Sequence, residues 1–263
     1  MNLKRSILHV LLVTLVAFSL FHGCASEETT GKTHAEVLYK DAQELVADKH
    51  YLQAIEYLNQ LRSQHPYSYY ATHAELLLAD IYYMQENYIE AAAAYTLFRD
   101  LHPKHEKNAY VLFRIAESHY MQKPSSIDRD LDSCYNAIKY YAELLQLYPK
   151  SEYTRDAMTK INESKKMIEE RERYIAGFYF KTKEYAAARY RCKDTIINFD
   201  GKELKQYCAE VVLHASLKLK EKKQCLLDAK WLDKEVNLKE TPNAQDYLEQ
   251  CKKLEDEKNE AKS

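Results

Sequence analysis

Small and large apolar residues recur in the same order in two successive stretches of the chain, residues 35–66 and 72–103. In both stretches the apolar residues are spaced for one face of a helix, which predicts two helices per stretch. Each copy has an alanine in both predicted helices, a large residue four positions after the second alanine, and a closing proline: Ala42, Ala54, Leu58 and Pro66, then Ala79, Ala91, Tyr95 and Pro103. Alanine allows two helices to approach closely, a large side chain fills the adjacent groove, and proline ends a helix.

This pattern is typical of the tetratricopeptide repeat of about 34 residues. A third copy carries an insertion over 123–133, and the first helix of a fourth copy is predicted to run unbroken over 151–180. The fifth copy is degenerate, with helices expected over 208–219 and 224–231, and a last helix is expected to begin near Pro242. The sequence therefore predicts an all-α, superhelical tetratricopeptide solenoid of about five helix pairs.

The composition supports a helical body and excludes several classes of enzyme. Only 4 of the 263 residues are glycine, and beyond residue 32 these are Gly177, unexplained within a helix, and Gly201, expected in a turn. Phosphate-binding loops and tight hairpins need several glycines, so a Rossmann domain, a P-loop enzyme and a β-sandwich are unlikely. The net charge of -2 argues against nucleic acid as a partner. We expect no catalytic residue, cofactor or metal, and interpret His102 and His105 as turn residues.

The amino terminus has the pattern of an export signal. Lys4 and Arg5 precede an apolar run over 7–21, which is too short to span a bilayer comfortably. Gly23 followed by Cys24 resembles the end of a bacterial lipoprotein signal, whose cysteine is acylated. We therefore expect Cys24 to carry a lipid anchor; the alternative is an ordinary signal peptide with an incidental cysteine.

Five further cysteines leave the disulfide pattern open. They are Cys134, Cys192, Cys208, Cys225 and Cys251. An odd number leaves at least one thiol free in an exported protein. The sequence allows a Cys192–Cys208 bridge, a Cys208–Cys225 bridge, or reduced cysteines buried as small core residues.

Three strings carry a resemblance to a known family. They are Tyr67-Ser68-Tyr69-Tyr70, Ile127-Asp128-Arg129-Asp130, and the run from Tyr148 to Thr154. Together with the lipoprotein signal and the repeats, they make residues 35–231 resemble the BamD lipoproteins of the outer-membrane β-barrel assembly machinery. The resemblance implies a lipid-anchored scaffold that faces the periplasm from the outer membrane, receives unfolded barrel precursors through their aromatic carboxy-terminal signal, and docks the barrel-forming subunit by its periplasmic repeat domains. Accessory lipoproteins are further candidate partners.

The first helix of each repeat lines the concave face in arrays of this kind, and aromatic side chains with polar tips suit peptide binding. The candidate groove residues are Tyr39, Gln43, Leu76, Asp80, Tyr83, Tyr110, Phe113, Glu117 and Tyr120. Packing of these side chains between repeats is the alternative. The candidate docking residues are Asp128, Arg129 and Asp130 in the insertion, and Lys202 and Lys205, of which Lys205 matches a basic contact residue implied by the resemblance.

The expected organisation is a signal peptide over 1–23, a lipidated tether over 24–33, repeats 1–3 with the substrate groove over 34–150, repeats 4–5 with the docking surface over 151–235, and a charged helical tail over 236–263. An alternative function is a cell-envelope adaptor lipoprotein that organises peptidoglycan or division enzymes. A transporter's substrate-binding lipoprotein fits poorly, because those proteins are glycine-rich α/β folds.

Overall fold

The computed structural model describes residues 33–254, in which all regular structure is helical. The helices are α1 (His34–Ala47), α2 (Tyr51–Gln64), α3 (Tyr69–Met84), α4 (Tyr88–Leu101), α5 (Asn108–Met121), α6 (Asp132–Leu147), α7 (Thr154–Lys181), α8 (Tyr185–Asn198), α9 (Lys202–Lys218), α10 (Lys222–Glu235) and α11 (Ala244–Lys253), with a short 3₁₀ turn at Leu238–Glu240. The described residues form two compact units, 33–78 and 79–254, and the division falls within α3.

In the unit of residues 33–78, α1 packs against α2. The predicted crossing residues Ala42 and Ala54 have no exposed surface, and Leu58 fills the space beside them. The side chain of Thr33 accepts a hydrogen bond from the Glu36 backbone N–H, which satisfies a donor at the start of α1. This first helix pair therefore follows the sequence pattern closely.

In the unit of residues 79–254, consecutive helices pack against each other from α4 to α10. The alanines at the predicted crossings have no exposed surface: Ala79, Ala91, Ala116, Ala137, Ala176 and Ala188. A small side chain is expected to be fully buried where two helices approach each other closely. The tetratricopeptide-type fold predicted from the sequence is therefore confirmed.

The turn between the two helices of four pairs uses a left-handed residue that is not glycine. These residues are Lys49, Glu86, Lys183 and Lys220, with φ between 59° and 65°. In the turn at Lys183, the N–H of Glu184 donates to the carbonyl of Tyr179 at 2.9 Å, which closes a Schellman motif. Glycine is the common residue at this position because it has no Cβ. Because these four turns have a residue with a side chain at the left-handed position, their backbone is strained.

The two late glycines are explained by close packing rather than by left-handed backbone. Gly201 has φ of -61° at the start of α9, and a Cβ there would overlap the carboxylate of Glu169. A Cβ on Gly177 would lie 3.1 Å from the hydroxyl oxygen of Tyr207. Both positions lie where α7 faces the segment that begins α9.

The carboxy-terminal part differs most from expectation. The fifth pair, α9 and α10, is longer than predicted, and α11 packs on both of its helices.

A disulfide joins Cys225 to Cys251, with 6.0 Å between their Cα atoms. A Cys208–Cys225 bridge is therefore wrong, because Cys251 is the partner of Cys225. Cys192 and Cys208 are free and fully buried, so a Cys192–Cys208 bridge is absent.

None of the helices in residues 33–254 combines the length and the apolar character needed to cross a bilayer. The expected signal peptide and Cys24 lie outside the described residues.

Replacing Lys183 by glycine should stabilise the protein. The substitution removes the cost of a left-handed residue with a side chain, about 1–2 kcal/mol, and adds unfolded-state entropy, so a net gain of about 0.5–1 kcal/mol is expected. Urea unfolding followed by circular dichroism measures the change. Lys165→Gly in the exposed interior of α7 is the control and should cost about 1 kcal/mol. A lower unfolding midpoint for Lys183→Gly would contradict the interpretation.

Candidate functional site

An open cleft of about 800 Å³ lies in the unit of residues 79–254. Its walls come from three parts of the chain: Asp80 on α3, Tyr110 at the start of α5, and the segment 147–153 that joins α6 to α7. That segment contributes Tyr148 and Tyr153 to the lining. The cleft therefore combines the first helices of two repeats with a string that carries the family resemblance.

The side chain of Asp80 fixes the floor of the cleft. Its Oδ1 accepts hydrogen bonds from the hydroxyls of Tyr95, at 2.5 Å, and Tyr110, at 2.6 Å. Burial raises the pKa of Asp80, against the two hydroxyl donors that favour its ionised form. Burial and the neighbouring Asp80 raise the pKa of Tyr110 to about 12, so its hydroxyl stays protonated and remains a donor. The ring of Tyr110 is thus held in one orientation at the cleft wall.

The same arrangement recurs one repeat later. Glu117 follows the crossing residue Ala116 as Asp80 follows Ala79, and it accepts a 2.6 Å hydrogen bond from the hydroxyl of Tyr141. Lys160 on α7 forms an ion pair with the same carboxylate. Burial, followed by this hydrogen bond, raises the pKa of Tyr141. A buried carboxylate with hydrogen-bonding partners is tolerated, whereas an unpaired one is costly.

Arg114 joins two of the predicted groove tyrosines. Its guanidinium lies 4.4 Å from the ring centroid of Tyr83 and 5.2 Å from that of Tyr110. Its Nε also donates to the Tyr110 hydroxyl at 3.1 Å. Cation–π contacts of this kind favour a fixed ring geometry. Arg114 therefore orders the aromatic surface beside the cleft.

A second group of rings extends this surface toward α7. The rings of Phe113 and Tyr153 stack with their centroids 4.6 Å apart, and Tyr110 lies 6.2 Å from Tyr153. The hydroxyl of Tyr120 donates to Glu163, and Lys160 lies 4.9 Å from the Tyr120 ring centroid. The result is an aromatic surface with polar tips and fixed cations, which suits an extended peptide bearing apolar and aromatic side chains.

The predicted groove residues fall into three classes of exposure. Tyr83, Tyr110 and Tyr120 are half-buried at the aromatic surface, and Asp80 lies partly exposed in the cleft. Leu76, Phe113 and Glu117 are buried, so none of the three forms an open surface; Phe113 supports the ring of Tyr153 by stacking on it. In the unit of residues 33–78, Gln43 is exposed, and the half-buried ring of Tyr39 contacts Tyr70 at 5.7 Å.

The predicted docking residues lie on two segments, and both segments pack against the cluster around Ile168 on α7. Leu131 directly follows Asp130, has no exposed surface and packs in a cluster with Ile168. Phe199, three residues before Lys202, packs against the same cluster. The packing around Ile168 therefore brings the insertion near the start of α9.

We define the docking surface by its charged residues, which are Asp128, Arg129, Asp130, Lys202 and Lys205. Several of these charged groups already have partners within the chain. Asp130 accepts a 2.8 Å bond from the backbone N–H of Asp132 and so supports the start of α6. Lys202 lies 3.0 Å from Glu240, and Lys205 lies 3.9 Å from Asp200. Arg129 and Lys202 are exposed, while Lys205 is half-buried. The exposed pairs are weak and can exchange partners.

Sequence reasoning missed the residues that organise the cleft. Arg114, Tyr148, Tyr153 and Lys160 were not among the candidates. The run from Tyr148 to Thr154 was recognised as a distinctive string, but its approach to α5 depends on tertiary packing. Arg114 stands four residues after Tyr110, a spacing that places both on one helix face and could have been read as a pair. Within residues 33–254, no group of three or more His, Cys, Asp or Glu side chains could hold a metal ion.

Comparison with known proteins finds similar curated proteins and solved structures. Two curated relatives are each an outer membrane protein assembly factor BamD. The protein of Vibrio cholerae is 28% identical over 211 residues, covering 76% of this chain and 88% of that protein. The protein of Neisseria gonorrhoeae is 29% identical over 208 residues, covering 73% and 78%. Among solved structures, the TPR2AB-domain:pHSP90-complex of yeast Sti1 is 14% identical with a TM-score of 0.40, covering 76% of this chain and 77% of that chain.

A family model described as an outer membrane lipoprotein, YfiO, matches residues 32–228. The match includes the cleft, the insertion and the start of α9. Because it runs through most of the sequence, the chain belongs to the YfiO family of outer membrane lipoproteins.

Proposed function

We propose that this protein is a lipid-anchored, non-enzymatic scaffold for outer-membrane protein assembly. It receives unfolded β-barrel precursors at the aromatic cleft and binds the barrel-forming subunit at the docking surface. Membership of an outer membrane lipoprotein family associates the chain with the cell envelope. The relatives from Vibrio and Neisseria are assembly factors of outer membrane proteins, which supports the same process here.

The cleft is the observation that carries the proposal. Unfolded barrel precursors are extended chains in which apolar and aromatic residues alternate with polar ones, as the strand period of a barrel requires. Tyr110, Tyr148 and Tyr153 offer rings with polar tips around an open volume of about 800 Å³. Tyrosine provides contact area at low entropic cost. Hydrogen bonding and stacking have already fixed Tyr110 and Tyr153, so little further ordering is needed on binding.

The ionisable groups beneath the cleft support a binding role. Asp80 is engaged by two tyrosine hydroxyls, and Glu117 is engaged by Tyr141 and Lys160. These acids shape the surface by fixing side chains on neighbouring helices. Their hydrogen bonds are directed at structural partners, which favours a scaffold over a catalyst.

The docking surface gives the scaffold a second contact. Arg129 and Lys202 present positive charge, and Asp128 and Asp130 present negative charge, on the two segments anchored at Ile168. Mixed charges at an exposed rim set the orientation and rate of association. We assign to this surface the contact with the barrel-forming subunit.

Acylation of Cys24 attaches the scaffold to the membrane. Each buried methylene of an acyl chain adds about 0.8 kcal/mol, so several chains form a stable anchor. The anchored chain then faces the periplasm, where unfolded precursors arrive.

Removing two rings from the cleft should weaken precursor binding. The Tyr148→Ala, Tyr153→Ala double variant is expected to bind a fluorescent peptide from the carboxy terminus of an outer-membrane barrel, ending in phenylalanine, at least about tenfold more weakly. Fluorescence anisotropy on the full chain in detergent gives the affinity. Tyr190→Ala is the matched control, because that ring is exposed on α8. Equal affinity of the double variant and the wild type would reject the cleft as the binding site.

Charge reversal at the docking surface should reduce recovery of the barrel subunit. Lys205→Glu and Arg129→Glu are each expected to lower the amount that co-purifies with a carboxy-terminally tagged chain, by about tenfold, because each removes a cation of the proposed contact and changes the charge pattern that sets its orientation. The measurement is affinity purification from detergent-solubilised envelope followed by mass spectrometry. Lys223→Glu on the exposed face of α10 is the control. Absence of a barrel protein with periplasmic repeat domains from the wild-type purification would reject the assembly function and favour an adaptor.

Loss of Cys24 should release the chain from the membrane. Cys24→Ser removes the acylation site, so the protein is expected in the soluble fraction after carbonate washing of the envelope. Cys134→Ser, which changes a buried cysteine, should remain in the membrane fraction. Retention of Cys24→Ser at the wild-type level would overturn the anchor.

A further inference from the structure

The tail helix α11 packs on α9 and α10 and contributes Tyr247 to a pocket that α7 and α9 also line. Gly177 follows the crossing residue Ala176 as Asp80 and Glu117 follow theirs. Gly177 and Phe180 on α7, with Tyr207 and His214 on α9, form a smaller pocket of about 220 Å³, and Tyr247 of α11 forms part of its wall. The ring of His214 lies 4.7 Å from Phe180 and 4.8 Å from Tyr247. The last repeats therefore carry aromatic residues that α11 partly covers.

Noncovalent contacts bury little of α11. Only Ala244 and Cys251 of this helix are fully buried, and both side chains are small. Tyr247 and Leu248 are half-buried, and Asn243, just before the helix, donates to Glu210 at 3.2 Å. Isolated ten-residue helices are marginal in water, so α11 depends on its docking for stability. Tyr247 and Leu248 pack against the core of the last repeats, and the bond from Cys251 to Cys225 on α10 adds a covalent restraint to this packing.

We propose that α11 is a redox-latched lid over the aromatic surface of the last two repeats, a role that goes beyond the proposed function. With Cys225 and Cys251 as thiols, the lid opens and increases the exposure of the half-buried His214, on which Tyr247 stacks. With the bond formed, the lid is closed and opens only transiently.

The latch closes by thiol–disulfide exchange with an oxidising disulfide, R–S–S–R, such as the active-site disulfide of an envelope oxidoreductase. One cysteine thiolate attacks this disulfide, forms a mixed disulfide and releases the first RS⁻. The second cysteine thiolate attacks the protein sulfur of the mixed disulfide, forms the Cys225–Cys251 bond and releases the second RS⁻. The two protein thiols lose two electrons and two protons, and the oxidant leaves as two RSH. Opening is the reverse exchange with a thiol reductant: two RSH attack in turn, return two electrons and two protons to Cys225 and Cys251, and leave as R–S–S–R.

Burial makes both oxidation and reduction of this latch depend on opening of the lid. Neither Cys225 nor Cys251 has exposed surface when α11 is docked. An oxidant therefore reaches them only while the lid is open, and a reductant reaches the bond only during opening. Cys192 and Cys208, also fully buried, lie in the packed core between α8 and α9 and take no part in the lid.

Hydrogen–deuterium exchange on the full chain in detergent tests the latch. Reduction of the wild type with a phosphine should accelerate exchange in residues 244–253 by about 100-fold, the effect of losing a typical disulfide restraint on a locally opening segment. Residues of α9 and α10 should keep their protection. The Cys225→Ser, Cys251→Ser double variant should match the reduced wild type without reductant, and Cys134→Ser should respond to reduction as the wild type does.

Three results would overturn the lid. Unchanged exchange in 244–253 after reduction would mean that packing alone holds α11. Acceleration throughout α9 and α10 would mean that α11 is a structural cap whose loss unfolds the pair. Alkylation of Cys225 and Cys251 in protein isolated from the envelope without reductant would mean that the latch is not formed there.

Discussion

Close contact between helices at buried alanines is the constraint on which the rest of the unit of residues 79–254 depends. Ala79, Ala116 and Ala176 have no exposed surface, so the residue that follows each one also lies close to its neighbours. At two of these positions the following residue is a carboxylate, Asp80 or Glu117, and each is matched by a tyrosine from the second helix of its own pair. At the third it is Gly177, and the approaching Tyr207 hydroxyl takes up the room. The close approach of the helices at these alanines therefore determines where the acids and the aromatic residues around them lie.

The hydrogen bonds of Asp80 and Glu117 bear on the specificity of packing as well as on stability. An apolar residue at position 80 or 117 could pack as well, since replacing buried ionic groups by hydrophobic ones is often neutral or favourable. A carboxylate, however, requires donors at defined positions, and Tyr95 with Tyr110 supplies them from two different helices. The requirement fixes how α3, α4 and α5 meet. It also sets the orientation of the tyrosine that forms the cleft wall, so the packing and the proposed binding surface have one physical cause.

Local pattern predicted the helix pairs well because its determinants are local. Alanine, a large residue four positions on and a closing proline specify a pair without reference to distant residues, and the unbroken first helix of the fourth repeat follows from the same spacing. The failures concern contacts between distant segments. The partner of Cys225 is 26 residues away on a helix that folds back over the fifth pair, so no spacing rule could select it. Leu76 and Glu117 belong to the expected first-helix face, yet both are buried. The approach of Tyr153 to Phe113 has the same origin.

The length of α7 sets a distance between the two proposed contacts. Thr154 begins this 28-residue helix beside the cleft, and Ile168 lies within it at the anchor of the docking surface. At 1.5 Å per residue, these points are about 20 Å apart along one continuous rod. An extended chain covers that distance with about six residues. Under the proposed function, a precursor segment of about six residues would span the distance from the cleft to the docking surface along α7.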